Sequence, residues 1–224
     1  MGLGPVWVRR VAPQAEPHVS DTSVPRAIRI ATLDWQPMRD EVASCVACEL
    51  SRTRTQTVFG VGVQHPDWLI IGEAPGAEED ACGEPFVGQA GKLLDAMLVA
   101  VKLARTRNVF IANVLKCRPP GNRDPAPGEI ASCRPFLERQ IELLAPRMIL
   151  VVGKVASSAL LGGDQPMSRL RGKRLSLTIA GREIPLVATY HPAYLLRSGE
   201  EKAKAWADLC FAREVYEGLG VTAA

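Results

Sequence analysis

Between Ile71 and Gly88 the chain reads I-G-E-A-P-G-A-E-E-D-A-C-G-E-P-F-V-G, setting two carboxylates, Glu73 and Glu79, and one ring, Phe86, among turn glycines. The stretch follows directly on the apolar run Trp68-Leu69-Ile70-Ile71. Such a run, apolar throughout, is what a strand buried on both faces requires. Gly72 and Gly76 around Pro75 force the chain to turn there. In open α/β sheets ligands bind outside the carboxyl ends of the strands, so carboxylates on this turn face a cleft.

The cysteines form a second constellation. Cys45 and Cys48 are a C-x-x-C pair, while Cys117 and Cys133 lie far along the chain beside Arg118-Pro119-Pro120 and Arg134-Pro135. Four thiolates on loops suit Zn²⁺ or an iron–sulfur cluster, since both are tetrahedral sulfur sites, and spacing alone does not choose between them. A redox C-x-x-C would leave Cys117 and Cys133 unexplained. Cys210, between Leu209 and Phe211 on an amphipathic stretch, reads as a buried inert thiol, and Cys82 is expected to be exposed in the acidic loop.

These groups need a scaffold. From Trp35 onward short apolar runs alternate with longer helical stretches, the pattern of a parallel sheet with crossover helices. Four main strands are expected at Trp68 to Gly72, Asn108 to Val114, Met148 to Gly153 and Leu186 to Tyr190. A hairpin strand at Leu175 to Ile179 turns at Ala180-Gly181. Helices are expected at Gln89 to Leu103, Gly128 to Leu144, Val155 to Leu161 and Glu201 to Glu217. The fold class is α/β, three-layered, with a central four-stranded parallel sheet. The strand-end loops then bring Glu73 and Glu79, Asn113, Gly153-Lys154 and His191-Pro192 to one rim.

Residues 1–35 carry Pro5, Pro13, Pro17 and Pro25 with little apolar periodicity and read as a loosely ordered tail, leaving 36–224 as one domain. No apolar run approaches the ~20 residues that cross a bilayer. The first ten residues lack the charged-then-apolar order of a secretion signal. Six cysteines without such a signal point to a reducing cytoplasm, with no membrane partner and a monomeric state expected. A net charge of +3 is too small to demand a polyanionic partner. Two basic loops stand out locally: Arg169, Arg171, Lys173 and Arg174, and Lys116, Arg118 and Arg123.

The motifs G-E-A-P-G-x-E-E-D with P-F-V-G-x-A-G, N-V-L-K-C-R-P-P-x-N-R-x-P and H-P-A-Y-L-L-R, in that order and with all four cysteines, resemble the family 4 (iron–sulfur) uracil-DNA glycosylases over about residues 42 to 217. The resemblance implies a uracil-DNA glycosylase-like fold and excision of uracil from single- or double-stranded DNA to start base excision repair. It implies a [4Fe–4S] cluster on Cys45, Cys48, Cys117 and Cys133, structural in role. It implies that Phe86 stacks on the flipped base, that Asn113 reads its edge, and that Glu79 lines the pocket near uracil C5. Glu73 would orient water or stabilise the sugar cation, the roles of Glu73 and Glu79 being open to exchange, and His191 would donate to uracil O2. Ala74 stands where glycosylase family 1 carries a catalytic aspartate, so its contribution is through backbone. Leu195 or Leu196 would wedge into the duplex, with Arg197 near phosphate. Some relatives trap DNA covalently through a histidine on a basic insertion. Nothing of that kind lies between Lys116 and Cys133, so ordinary turnover is expected.

Competing expectations are a DNA-binding module of the same fold, with iron–sulfur or zinc and no turnover, and a glycosylase for another deaminated base. A phosphoryl-transfer enzyme is disfavoured, because no G-x-x-x-x-G-K-[ST] or G-x-G-x-x-G follows the first strand and Glu78, Glu79 and Asp80 would repel phosphate. The tail is a candidate docking segment for replication or repair proteins.

Overall fold

The computed structural model describes residues 24–220. Its sheet begins with a two-residue edge strand, β1 (Val61–Gly62), followed by β2 (Trp68–Gly72), β3 (Val109–Asn113), β4 (Met148–Val152), β5 (Leu175–Ile179) and β6 (Arg182–Thr189). The order is β1-β3-β2-β4-β6-β5. β3, β2, β4 and β6 run parallel, as expected, and β1 and β5 pair antiparallel at the edges. Every residue of β2, β3 and β4 is buried. That is why these segments read as unbroken apolar runs rather than as alternating ones.

The helices are α1 (Arg26–Ala31), α2 (Trp35–Ala43), α3 (Ala77–Cys82), α4 (Gln89–Ala100), α5 (Pro127–Leu144), α6 (Lys154–Leu161), α7 (Met167–Leu170), α8 (Pro192–Arg197) and α9 (Lys202–Glu217). Alternate residues of β2 serve the two layers: Leu69 and Ile71 pack with Met38, Phe136 and Ile141, while Trp68 and Ile70 pack with Leu94, Leu98 and Leu209. Helices α1, α2, α5 and α6 thus cover one face and α4, α8 and α9 the other, which makes three layers.

Three expectations change. The loosely ordered tail does not reach residue 35: Pro25 precedes the first turn of α1, where a missing N–H costs nothing, and Ile30 is fully buried. The part of that tail from 1 to 23 lies outside the described residues. β6 starts at Arg182 rather than Leu186, because its first residues pair only with β5 and tolerate Pro185 there, while pairing with β4 begins at Leu186. Cys133 is not on a loop but inside α5, whose internal Pro135 leaves a helical hydrogen bond unmade. Among the described residues no helix is long and apolar enough to cross a membrane.

Candidate active site and cysteine site

The parallel register pairs Gly72 with Asn113 and Val152 with Thr189, so the chain leaves β2, β3, β4 and β6 at one rim. Gly72 is the floor. A Cβ there would stand 2.4 Å from Phe86 Cζ and 2.5 Å from Asn113 Oδ1, so only a glycine lets ring and amide approach this closely. His191 closes the other side, its ring 5.5 Å from that of Phe86 and tilted 30° to it.

Asn113 is buried, and neither Oδ1 nor Nδ2 has a hydrogen-bond partner. Leaving a buried polar group unpaired costs about 1–3 kcal/mol, and native proteins seldom bear that cost without a use for it. His191 Nδ1 accepts the Ala193 N–H at 3.1 Å at the start of α8. In the neutral ring the proton is therefore on Nε2, free to donate. Burial, aided by the charge of Arg197, pushes the imidazole down to about 4. Burial, aided by Asp124, pushes Glu73 up to about 7.

The ring is held by groups that the motif reading did not single out. Phe86 has φ 56°, a left-handed conformation that costs a side chain about 1–2 kcal/mol. Arg105 donates to the carbonyls of Pro85, at 2.7 Å, and Phe86, and is itself held by Asp95 at 2.5 Å. Gly91 on α4 leaves room for the Phe86 carbonyl, which a Cβ would meet at 1.8 Å. Glu79 accepts the N–H groups of Gly76 (3.1 Å), Val87 (3.0 Å) and Gly88 (3.3 Å). Its two oxygens thus close the loop from 76 to 88 upon itself, and its charge reaches His191 across the crevice. Ala74 packs against the core just beyond Glu73.

The strand leading to His191 is braced too. Thr189 donates to the buried Asp208 at 2.8 Å, Arg171 meets the same carboxylate at 2.6 and 3.0 Å, and its guanidinium lies 4.4 Å from the Tyr190 ring centre. Arg171 is therefore taken out of the expected basic loop. Arg123 is also spent, on Glu129 at 2.6 and 2.9 Å, and Lys116 is fully buried. Arg169, Lys173, Arg174 and Arg118 need no such correction; Arg118 reaches Asn122 on the surface.

Leu195 is 1% exposed and packs in the apolar layer with Phe86 and Leu94, so it is no wedge. On a helix as short as α8 one leucine of the pair turns inward. Leu196 is 49% exposed, with Tyr194 and Arg197 exposed beside it.

Cys45, Cys48, Cys117 and Cys133 line one cavity walled by Val42 and Phe136, and all are free thiols. Three sulfurs receive N–H donors: Cys117 from Arg54 (3.0 Å), Cys45 from Arg26 (3.5 Å) and Cys133 from the Lys116 backbone (3.3 Å). Burial pushes the Cys133 thiol up to about 11, Lys116 opposing it. Thiols so placed, with cationic donors on their sulfurs, fit a group that binds four thiolates and carries net negative charge. Among the described residues no three of His, Cys, Asp or Glu stand close enough to share a single ion. Arg26 and Arg54 lie far in sequence from the sulfurs they meet and carried no motif signal.

Fold and site together define an α/β protein whose ligand crevice opens at the carboxyl ends of a parallel sheet. A family model described as the uracil DNA glycosylase superfamily matches residues 59–210. A type-4 uracil-DNA glycosylase of Archaeoglobus fulgidus is 43% identical over 160 residues, covering 70% of this chain and 80% of that protein. One of Pyrobaculum aerophilum is 39% identical over 181 residues, covering 79% and 92%. One of Thermotoga maritima is 41% identical over 160 residues, covering 71% and 81%. The chain belongs to the uracil DNA glycosylase superfamily, among its type-4 members.

Proposed function

We propose that this protein takes uracil, flipped out of DNA, into the crevice above Gly72 and hydrolyses its N-glycosidic bond, opening base excision repair. The observation that carries the reading is the buried, unpaired Asn113 amide. Uracil offers O4 as acceptor and N3–H as donor, which Nδ2 and Oδ1 satisfy, whereas cytosine offers the inverse pattern. A site built on such hydrogen bonds can discriminate by about 10⁴-fold. Phe86, locked by Arg105 and Gly91, is the face on which the base stacks. Glu79, which holds the loop in shape and whose charge reaches His191, is the group read as lining the pocket near uracil C5 and excluding the thymine methyl.

Breaking C1′–N1 sends the bonding electrons to uracil and leaves a cation on the sugar. The Nε2–H of neutral His191 donates to uracil O2 and stabilises the departing anion. Glu73, ionised above about pH 7, faces the cation, orients the water that adds to C1′ and accepts its proton. The products are free uracil and an abasic sugar.

Cys45, Cys48, Cys117 and Cys133 would hold a [4Fe–4S] cluster. When bound it supplies an anionic cross-link between the chain after α2, α5 and the chain after β3. The thiol-lined cavity and the N–H donors aimed at the sulfurs support this reading. Leu196 rather than Leu195, together with Tyr194 and Arg197, forms the surface that enters single- or double-stranded DNA. The six free cysteines suit a reducing cytoplasm. We read the protein as a monomer in one domain, with the segment 1–23 available to repair or replication proteins.

The test is release of uracil from an oligonucleotide with one uracil, by intact protein and by His191→Ala, scored as alkali-sensitive scission. Scission lost in the variant supports the reading. No scission by cluster-loaded intact protein transfers weight to the DNA-binding module or to another deaminated base.

A further inference from the structure

Lys116 separates the two sites just described, and its chemistry is used by neither. Its side chain is among the largest that are fully buried, with 1% exposure. It donates one hydrogen bond, Nζ to the Asn113 carbonyl at 2.8 Å. A buried ammonium needs a counter-ion as well as acceptors. Among the described residues Lys116 has no carboxylate in salt-bridge range; the acidic groups facing it are the thiols of Cys133 and Cys117. Its own backbone N–H points at the Cys133 sulfur, so main chain and side chain of one residue touch both sites.

We propose that Lys116 is a positioning residue that couples the cysteine site to the base pocket: its ammonium takes the thiolate-held cluster as counter-ion and, through the Asn113 carbonyl, fixes the strand end that aims the Asn113 amide. The inference rests on the reading of Asn113 as the uracil-recognising group. A cluster bound by four thiolates is net anionic, so filling the site gives the buried ammonium a counter-ion where it lies. Cluster loading thereby sets the geometry of base recognition while taking no part in bond breaking. Groups that orient a metal site from its second layer commonly alter affinity or activity by about 10–100-fold when removed.

The experiment uses the purified, cluster-loaded protein and Lys116→Met, which keeps the stem and removes the charge and the donor. The cluster's reduction potential is measured by optical titration, and kcat and KM are measured for uracil release. A more negative potential in Lys116→Met is expected, because a nearby positive charge favours the reduced cluster. A fall in kcat of about 10-fold is expected with it, while affinity for abasic-site DNA, which has no base for Asn113 to read, stays unchanged. An unchanged potential removes the ion pair and overturns the proposal. A shifted potential with unchanged excision removes the coupling and overturns it equally. If Lys116→Met does not accumulate as folded protein, Lys116→Gln, uncharged, is judged by the potential alone, and an unchanged potential in it overturns the proposal. The potential is read without DNA, so a wild-type protein inactive on uracil would sink the functional reading while the ion pair is still judged.

Discussion

The Ala193 N–H donates to His191 Nδ1 at 3.1 Å, and this one backbone contact decides which imidazole nitrogen faces the crevice. The ring is neutral above about pH 4, so its Nε2–H is present throughout the physiological range. Single-turnover excision should therefore show no limb belonging to His191 near neutrality. It should rise instead with an apparent pKa of about 7, as Glu73 ionises, and Glu73→Gln should abolish that limb. Stability moves oppositely for Glu73: the fold favours the protonated carboxyl, a contribution full below pH 4.5 and lost as pH rises through about 7. His191 favours its neutral form and destabilises the fold as pH falls from 6.5 toward 4. A pH–rate profile with a limb near 6.5 that vanishes in His191→Ala would contradict this assignment.

Asn113 carries the cost of recognition in the resting protein. Asn113→Leu removes two unpaired polar atoms at similar volume. It should raise stability by about 1 kcal/mol while lowering excision by at least about 100-fold. Thermal unfolding beside uracil release checks both halves, and a destabilised variant would show the amide to be structural.

Gly72→Ala tests the crevice floor by steric means alone, since Gly72 is not among the glycines of positive φ. Its Cβ would press on Phe86 and Asn113 together. Excision should fall by about 100-fold or more, with the circular dichroism spectrum retained.

Leu195 and Leu196 are neighbours with opposite fates. Leu195→Ala should cost about 2–5 kcal/mol of stability, as a buried leucine does. Leu196→Ala should leave unfolding within about 0.5 kcal/mol and weaken action on duplex DNA more than on single strands. Arg197→Ala should reduce the slope of log affinity against log salt by about one. The reverse pattern for the two leucines would restore Leu195 as the wedge.

The strands that hold the site were legible because burial on both faces leaves a sequence no alternative but unbroken apolar residues, as in Trp68 to Ile71 and Met148 to Val152. Glu73, Phe86, Asn113 and His191 were legible because they follow such strands. β1 escaped because two residues make no pattern, and α1 because Pro25 reads as a breaker until its place before a first turn is known. The burial of Lys116, the clamp of Arg105 on Phe86 and the closure of the loop by Glu79 depend on partners brought near only by the fold. A basic residue beside a cysteine looks the same on paper whether it meets solvent or a buried carbonyl.

Cys45 and Cys133 bracket β2 and β3 in sequence and line one cavity in space. A group held by all four thiols would have to wait until more than half of the chain had left the ribosome. The first two central strands would then be made, and Arg26 and Arg54 poised, before their anionic partner arrived. Filling of the site would in that case follow, not precede, the making of those strands. Under iron limitation the newly made chain, rather than the finished enzyme, would be the species exposed to proteolysis.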